Sequence, residues 1–215
     1  MLRALMSFAA AVLLLVPPAG ESGRIDDLDV AADLIAYNQE VNVGYSTRGE
    51  GKIERRVGVI TRWDLPIPVA VDPSITSDKM AEAMRYWESV TGLPFVAVGM
   101  KTEPRLTVRA ASAEDLNVAI GAGFVYRTYK NNRARLGVVK LRTDFADCTV
   151  RCEGLYRHEL GHAIGIFKHM TGGALMAAPQ TGSDASPREI ALLQTLYKLP
   201  HGAHIKPDGS WSVVR

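Results

Sequence analysis

The sequence predicts a mixed α/β fold built as one domain. Three observations carry this expectation. Short strand-like runs (RWDLPIPVAV from Arg62, RLTVRA from Arg105, LGVVKLR from Leu136) alternate with segments of helical period. Two of the helical segments carry start signals of their own, and one of these a stop signal as well. A third places two histidines four residues apart. With 215 residues, 47% hydrophobic and 22% charged, the chain is large and apolar enough to bury one good core.

The N-terminus reads as a signal peptide over residues 1–20. Arg3 gives a positive start, Ala4–Val16 is a mostly apolar run of thirteen residues, and Pro17-Pro18-Ala19-Gly20 breaks it beside small residues. Thirteen residues are too few to span a bilayer, and no cysteine follows to take a lipid. The expectation is export, to the periplasm or outside the cell, with no stable membrane span. Residues 21–60 form an N-terminal extension whose one periodic stretch is Leu28–Tyr37. A remnant pro-segment, an extra edge element and a flexible arm all fit it.

Residues 61–200 hold the predicted domain. Pro66 and Pro68 confine Arg62–Val71 to an edge strand, since proline cannot donate to a ladder. A helix follows from Ser77, capped by Ser77 or Asp78. Met80, Met84, Trp87 and Val90 or Thr91 recur at helical spacing, and Gly92 with Pro94 ends it. Arg105–Ala110 and Leu136–Arg142 alternate as strands, and the basic run Arg127–Arg135 reads as a solvated loop or hairpin. Net charge is +2, so no nucleic-acid partner is expected. The only two cysteines, Cys148 and Cys152, lie four apart. Export favours a disulfide between them, and a CxxxC metal site lacks a partner pair. So small a loop gains at most about 2–3 kcal/mol.

The most informative segment is HELGHAIGIFKH, His158–His169. Residues i and i+4 share a helix face, so His158 and His162 can hold one metal ion. The pairing suits Zn²⁺, and Glu159 between them is placed to act as a base. Gly165 is suited to ending that helix with a sharp turn. A methionine, Met176, follows in GGALMAAP. Toward the C-terminus, Ser186-Pro187-Arg188-Glu189 is a capping box with proline at the first helical position. It opens a helix with the apolar stripe Ile190, Leu193, Leu196 and Tyr197. His201 and His204 fall in a Gly- and Pro-flanked tail, residues 201–215, and read as solvated.

HELGHAIGIFKHMTGGALMAAP resembles the metzincin signature, HExxHxxGxxH followed by a Met-turn, and its GALM…P run resembles the matrixin subgroup. Ser77–Val98 and Ser186–Pro200 are similar to matrixin elements as well. The chain also resembles a group of uncharacterised bacterial secreted domains with an RW…P…V opening and a LY-ending helix. The metzincin resemblance implies an α+β catalytic domain. Its features would be a twisted, mostly parallel sheet with an antiparallel edge strand, an active-site helix, a Met-turn at Met176 and a C-terminal helix. It implies a monomeric zinc endopeptidase acting on protein or peptide substrates, with Glu159 as general base and His158, His162 and His169 as ligands. It also implies a sheet-edge strand that binds substrate by strand addition, a role provisionally given to Gly137, Val138 and Val139.

One departure stands out. The signature's third ligand position, ten residues after His158, holds Lys168, which has no lone pair while protonated. His169 comes one residue later and is favoured as third ligand, while Asp184 and Glu189 stand as carboxylate alternatives. A non-enzyme, a metzincin-like binding or envelope-structure module, is the competing class.

Overall fold

Two sheets and four helices carry the described residues, which in this computed structural model are 21–38, 59–75, 77–112, 123–130, 132–142, 152–178, 180 and 182–213. The signal segment and Cys148 lie outside them, so the bridge to Cys152 does too. The strands are β1 (Ser22–Arg24), β2 (Ile67–Val71), β3 (Phe95–Ala97), β4 (Arg105–Ala111), β5 (Gly123–Lys130), β6 (Arg133–Arg142), β7 (Ala203–Ile205) and β8 (Ser210–Val213). The helices are α1 (Leu28–Tyr37), α2 (Ser77–Thr91), α3 (Cys152–Ile164) and α4 (Pro187–Lys198). None of them is long and apolar enough to cross a membrane.

The larger sheet runs β3-β2-β4-β6-β5. The pairs β2/β3, β2/β4 and β4/β6 are parallel, and β5 joins β6 antiparallel. The mixed α/β expectation holds, with an antiparallel strand at one edge. The strand assignments need two corrections. β2 is internal, despite Pro68 within it and Pro66 just before it. Ile67 N–H donates to Pro94 O at 2.8 Å, so by strand alternation the nitrogen of Pro68 faces β4. Pairing with β4 starts only at Val69↔Leu106, so the missing donor costs no ladder bond. Gly137, Val138 and Val139 are not at an edge either. They pair with Leu106, Thr107 and Val108 on one side and with Arg127, Tyr126 and Val125 on the other. Of the two readings of the basic run Arg127–Arg135, the hairpin holds: β5 pairs antiparallel with β6, and the chain turns at Asn132 with φ 60°. The hairpin makes β5 the edge.

α2 packs on α3 through one apolar stripe, with Met80, Ala83 and Trp87 buried. The Trp87 indole also donates to Arg157 O at 2.8 Å. Gly92, at φ 76°, ends α2 as expected. Residues 21–38, the first part of the N-terminal extension, are seated on the domain. β1 pairs antiparallel with β8, and β8 with β7, in a second sheet. α1, capped by Asp27, sends Val30, Ala31 and Leu34 into the same core as Trp63, Leu160 and Leu193. The tail is structured too. His201 is half-buried between Asp64 Oδ1 (2.9 Å from Nε2) and Asn132 O (3.2 Å from Nδ1), and so is not fully solvated.

Candidate metal centre

α3 ends at Ile164 because Gly165 takes φ 152°, which only glycine adopts readily. A Cβ there would also strike Leu196 Cδ2. The turn sends the chain back past the helix, and His169 returns to His158 and His162. The ligand atoms of these three lie within 4.8 Å of one another. Ring centroids are 4.6 Å apart for His158–His162, 5.2 Å for His158–His169 and 5.0 Å for His162–His169. His158 is buried, His162 half-buried and His169 exposed.

The protons on the helix pair can be assigned from their partners. His158 Nδ1 lies 2.5 Å from Leu175 O, and His162 Nδ1 lies 2.6 Å from Ile166 O. A carbonyl only accepts, so each Nδ1 carries its proton and each Nε2 is left with a lone pair. Those two Nε2 atoms face each other at 3.1 Å. Two lone pairs at that distance repel unless a cation lies between them. Tetrahedral Zn²⁺ with bonds of about 2.0–2.1 Å would set its ligand nitrogens about 3.3 Å apart. The donor set therefore fits a metal ion, and carbonyls that fix the imidazole tautomer are the usual outer support of such a site. Burial holds His158 below its ordinary pKa, with the Leu175 carbonyl opposing. Partial desolvation of the ring also lowers His169, although the residue as a whole is exposed. Both shifts are in the direction that favours the neutral, metal-binding imidazole.

Neither carboxylate alternative belongs to the cluster. Asp184 is exposed and pairs with Arg157 at 2.9 Å. Glu189 is fully buried and committed elsewhere. Its Oε1 accepts from Ala174 N–H (3.0 Å) and Met176 N–H (2.7 Å), and its Oε2 from Ser186 N–H (2.5 Å). The capping box read from sequence is present, but the same carboxylate also holds the Met176 turn, whose Leu175 carbonyl orients His158. Met176 is buried against α3. A Cβ at Gly161 would collide with its sulfur and with Trp87 Cζ2 (2.9 Å), so HELGH needs its glycine for this packing.

Glu189→Ala should therefore cost far more than a surface cap. Three backbone N–H groups lose their acceptor, at about 1–3 kcal/mol each when buried. The expected loss is about 3 kcal/mol or more, or roughly 6–12 °C in melting temperature for a chain of this size. Glu189→Gln, which keeps one acceptor oxygen, should recover part of it. Thermal unfolding followed by circular dichroism checks this. A Glu189→Ala melt within 2 °C of wild type would refute the network.

Glu159 is also buried, and burial pushes its carboxyl up to about 8. Sequence reasoning missed the roles of Tyr37 and Asn38, which touch the loop carrying His169; no local pattern marks them. No family model matches this chain, and no curated protein matches it.

Proposed function

We propose that this chain is an exported, zinc-dependent endopeptidase of the metzincin type. The observation that carries the proposal is the pair of Nε2 lone pairs on α3, facing each other across 3.1 Å with a third imidazole brought beside them. Zinc held by His158, His162 and His169 would supply Lewis acidity, acidifying water and polarising the scissile carbonyl. The remaining steps belong to the chain. Glu159 takes the proton of the attacking water as its oxygen bonds the carbonyl carbon. It then passes that proton to the amine nitrogen as the C–N bond breaks. Burial pushes this carboxyl up to about 8, out of the ordinary carboxylate range and toward the range in which one group can both take and return a proton. β5, the antiparallel edge packed against α3, takes over the substrate role first given to Gly137, Val138 and Val139. An extended peptide would add to it by main-chain hydrogen bonds.

The test is metal content measured together with cleavage of an unfolded protein. The purified chain should hold close to one zinc, and a strong chelator should remove both the zinc and the cleavage. A chain refolded with zinc that retains none would refute the metal site. One that retains zinc and cleaves nothing would favour the binding module instead.

A further inference from the structure

The segment before the domain reaches into the metal loop. Residues 165–171 carry the third histidine, and four contacts tie them to the end of α1 or to its partner. Asn38 Nδ2, on a side chain buried to 2% exposure, donates to Gly165 O at 2.9 Å. Tyr37 O accepts from Phe167 N–H at 2.8 Å. The Tyr37 hydroxyl accepts from Thr171 N–H at 3.1 Å. Arg188 donates to Thr171 O at 3.1 Å and forks onto Asp33 of α1. The loop is thus pinned on both sides of His169.

We infer that the N-terminal segment is a built-in part of the metal centre: Tyr37 and Asn38 are positioning residues that set the loop path delivering His169. The inference rests on the reading of His169 as a metal ligand. It accounts for a feature the sequence leaves open. The histidine stands one residue later than the signature's third position, and a loop held by α1 has a path that α3 and the Met176 turn do not set alone. Residues 165, 167 and 171 are fixed from outside, so the residues between them have little freedom to choose which side chain meets the helix pair. A positioning contact of this kind is worth about 10–100-fold in metal affinity.

The experiment is a titration of the full chain with Co²⁺, followed by its visible absorption, with zinc competition for tight binders. Asn38→Ala should weaken Co²⁺ binding about 10-fold, and Tyr37→Phe should weaken it by a smaller factor. Both substitutions should then be placed on a His169→Ala background. If they act through His169, their effect there should shrink to within about 2-fold, because the shared partner is gone. A contact that merely supports the fold would lose the same factor on either background. Wild-type affinity in both variants, or an undiminished loss without His169, would overturn the inference. Should Asn38→Ala not fold, Tyr37→Phe decides alone, since it keeps its ring in place and removes one acceptor. A wild-type chain that binds no Co²⁺ overturns the metal reading and the inference with it, whereas binding that ignores Tyr37 and Asn38 overturns the inference only.

Discussion

Glu159→Gln is expected to lower peptide hydrolysis by about 10²–10⁴-fold, the usual worth of a positioned base, with zinc still bound. Glutamine matches glutamate in shape but cannot accept and return a proton. The three imidazoles are untouched by the change, so metal content should stay near one per chain. Stability should not fall, and this sharpens the test. Burial disfavours the charged carboxylate at position 159, and a neutral amide removes that penalty. Steady-state cleavage of an unfolded protein, measured beside metal content and a melt, separates the outcomes. Near-wild-type turnover in the variant would refute Glu159 as the base. Lost zinc or a collapsed melt would show that the residue serves the fold instead.

The second large effect is expected at His169. His169→Ala should weaken zinc by more than the about 10–100-fold of an outer-contact substitution, because two imidazoles alone fix neither geometry nor coordination number. Lys168→Ala should leave zinc in place or tighten it, since a protonated ammonium offers no lone pair and repels a cation. Competition with a chelator of known affinity reads both. If His169→Ala holds zinc as tightly as wild type, the centre is not a three-histidine one.

Much of this centre was legible in the sequence because its signals are local. His158 and His162 are one helical turn apart, and that spacing alone puts them on one face. Gly165 ends α3 and Gly92 ends α2 with positive φ, and Ser186 with Glu189 opens α4. Each of these is decided within four residues. Strand order is not. Pro68 restricts which donors β2 has, yet it says nothing about where the neighbouring strands begin. The interior position of Gly137–Val139 follows from a hairpin partner whose basic composition left loop and hairpin equally open. The contacts of Tyr37 and Asn38 were illegible for another reason. Those to the metal loop run to backbone atoms more than a hundred residues away, and the most telling acceptor, Tyr37 O, is one that every residue possesses. Glu189 shows the two cases together. Its cap is local and readable, whereas its hold on Ala174 and Met176 exists only once the fold brings them together.

The pairing of β1 with β8 has a consequence for the order in which the molecule assembles. Ser22 lies opposite Ser212, and α1 leans on α4 and β7, so the first described segment finds its seat only on the last. Synthesis delivers the N-terminus first, and closing so long a loop is entropically slow. The wall behind His169 is therefore finished only once β7 and β8 are available. A nascent or truncated chain would carry His158, Glu159 and His162 on a helix without the support that brings the third ligand home. The third histidine would then join the helix pair only after β7 and β8 are made, a natural delay between making α3 and completing the cluster.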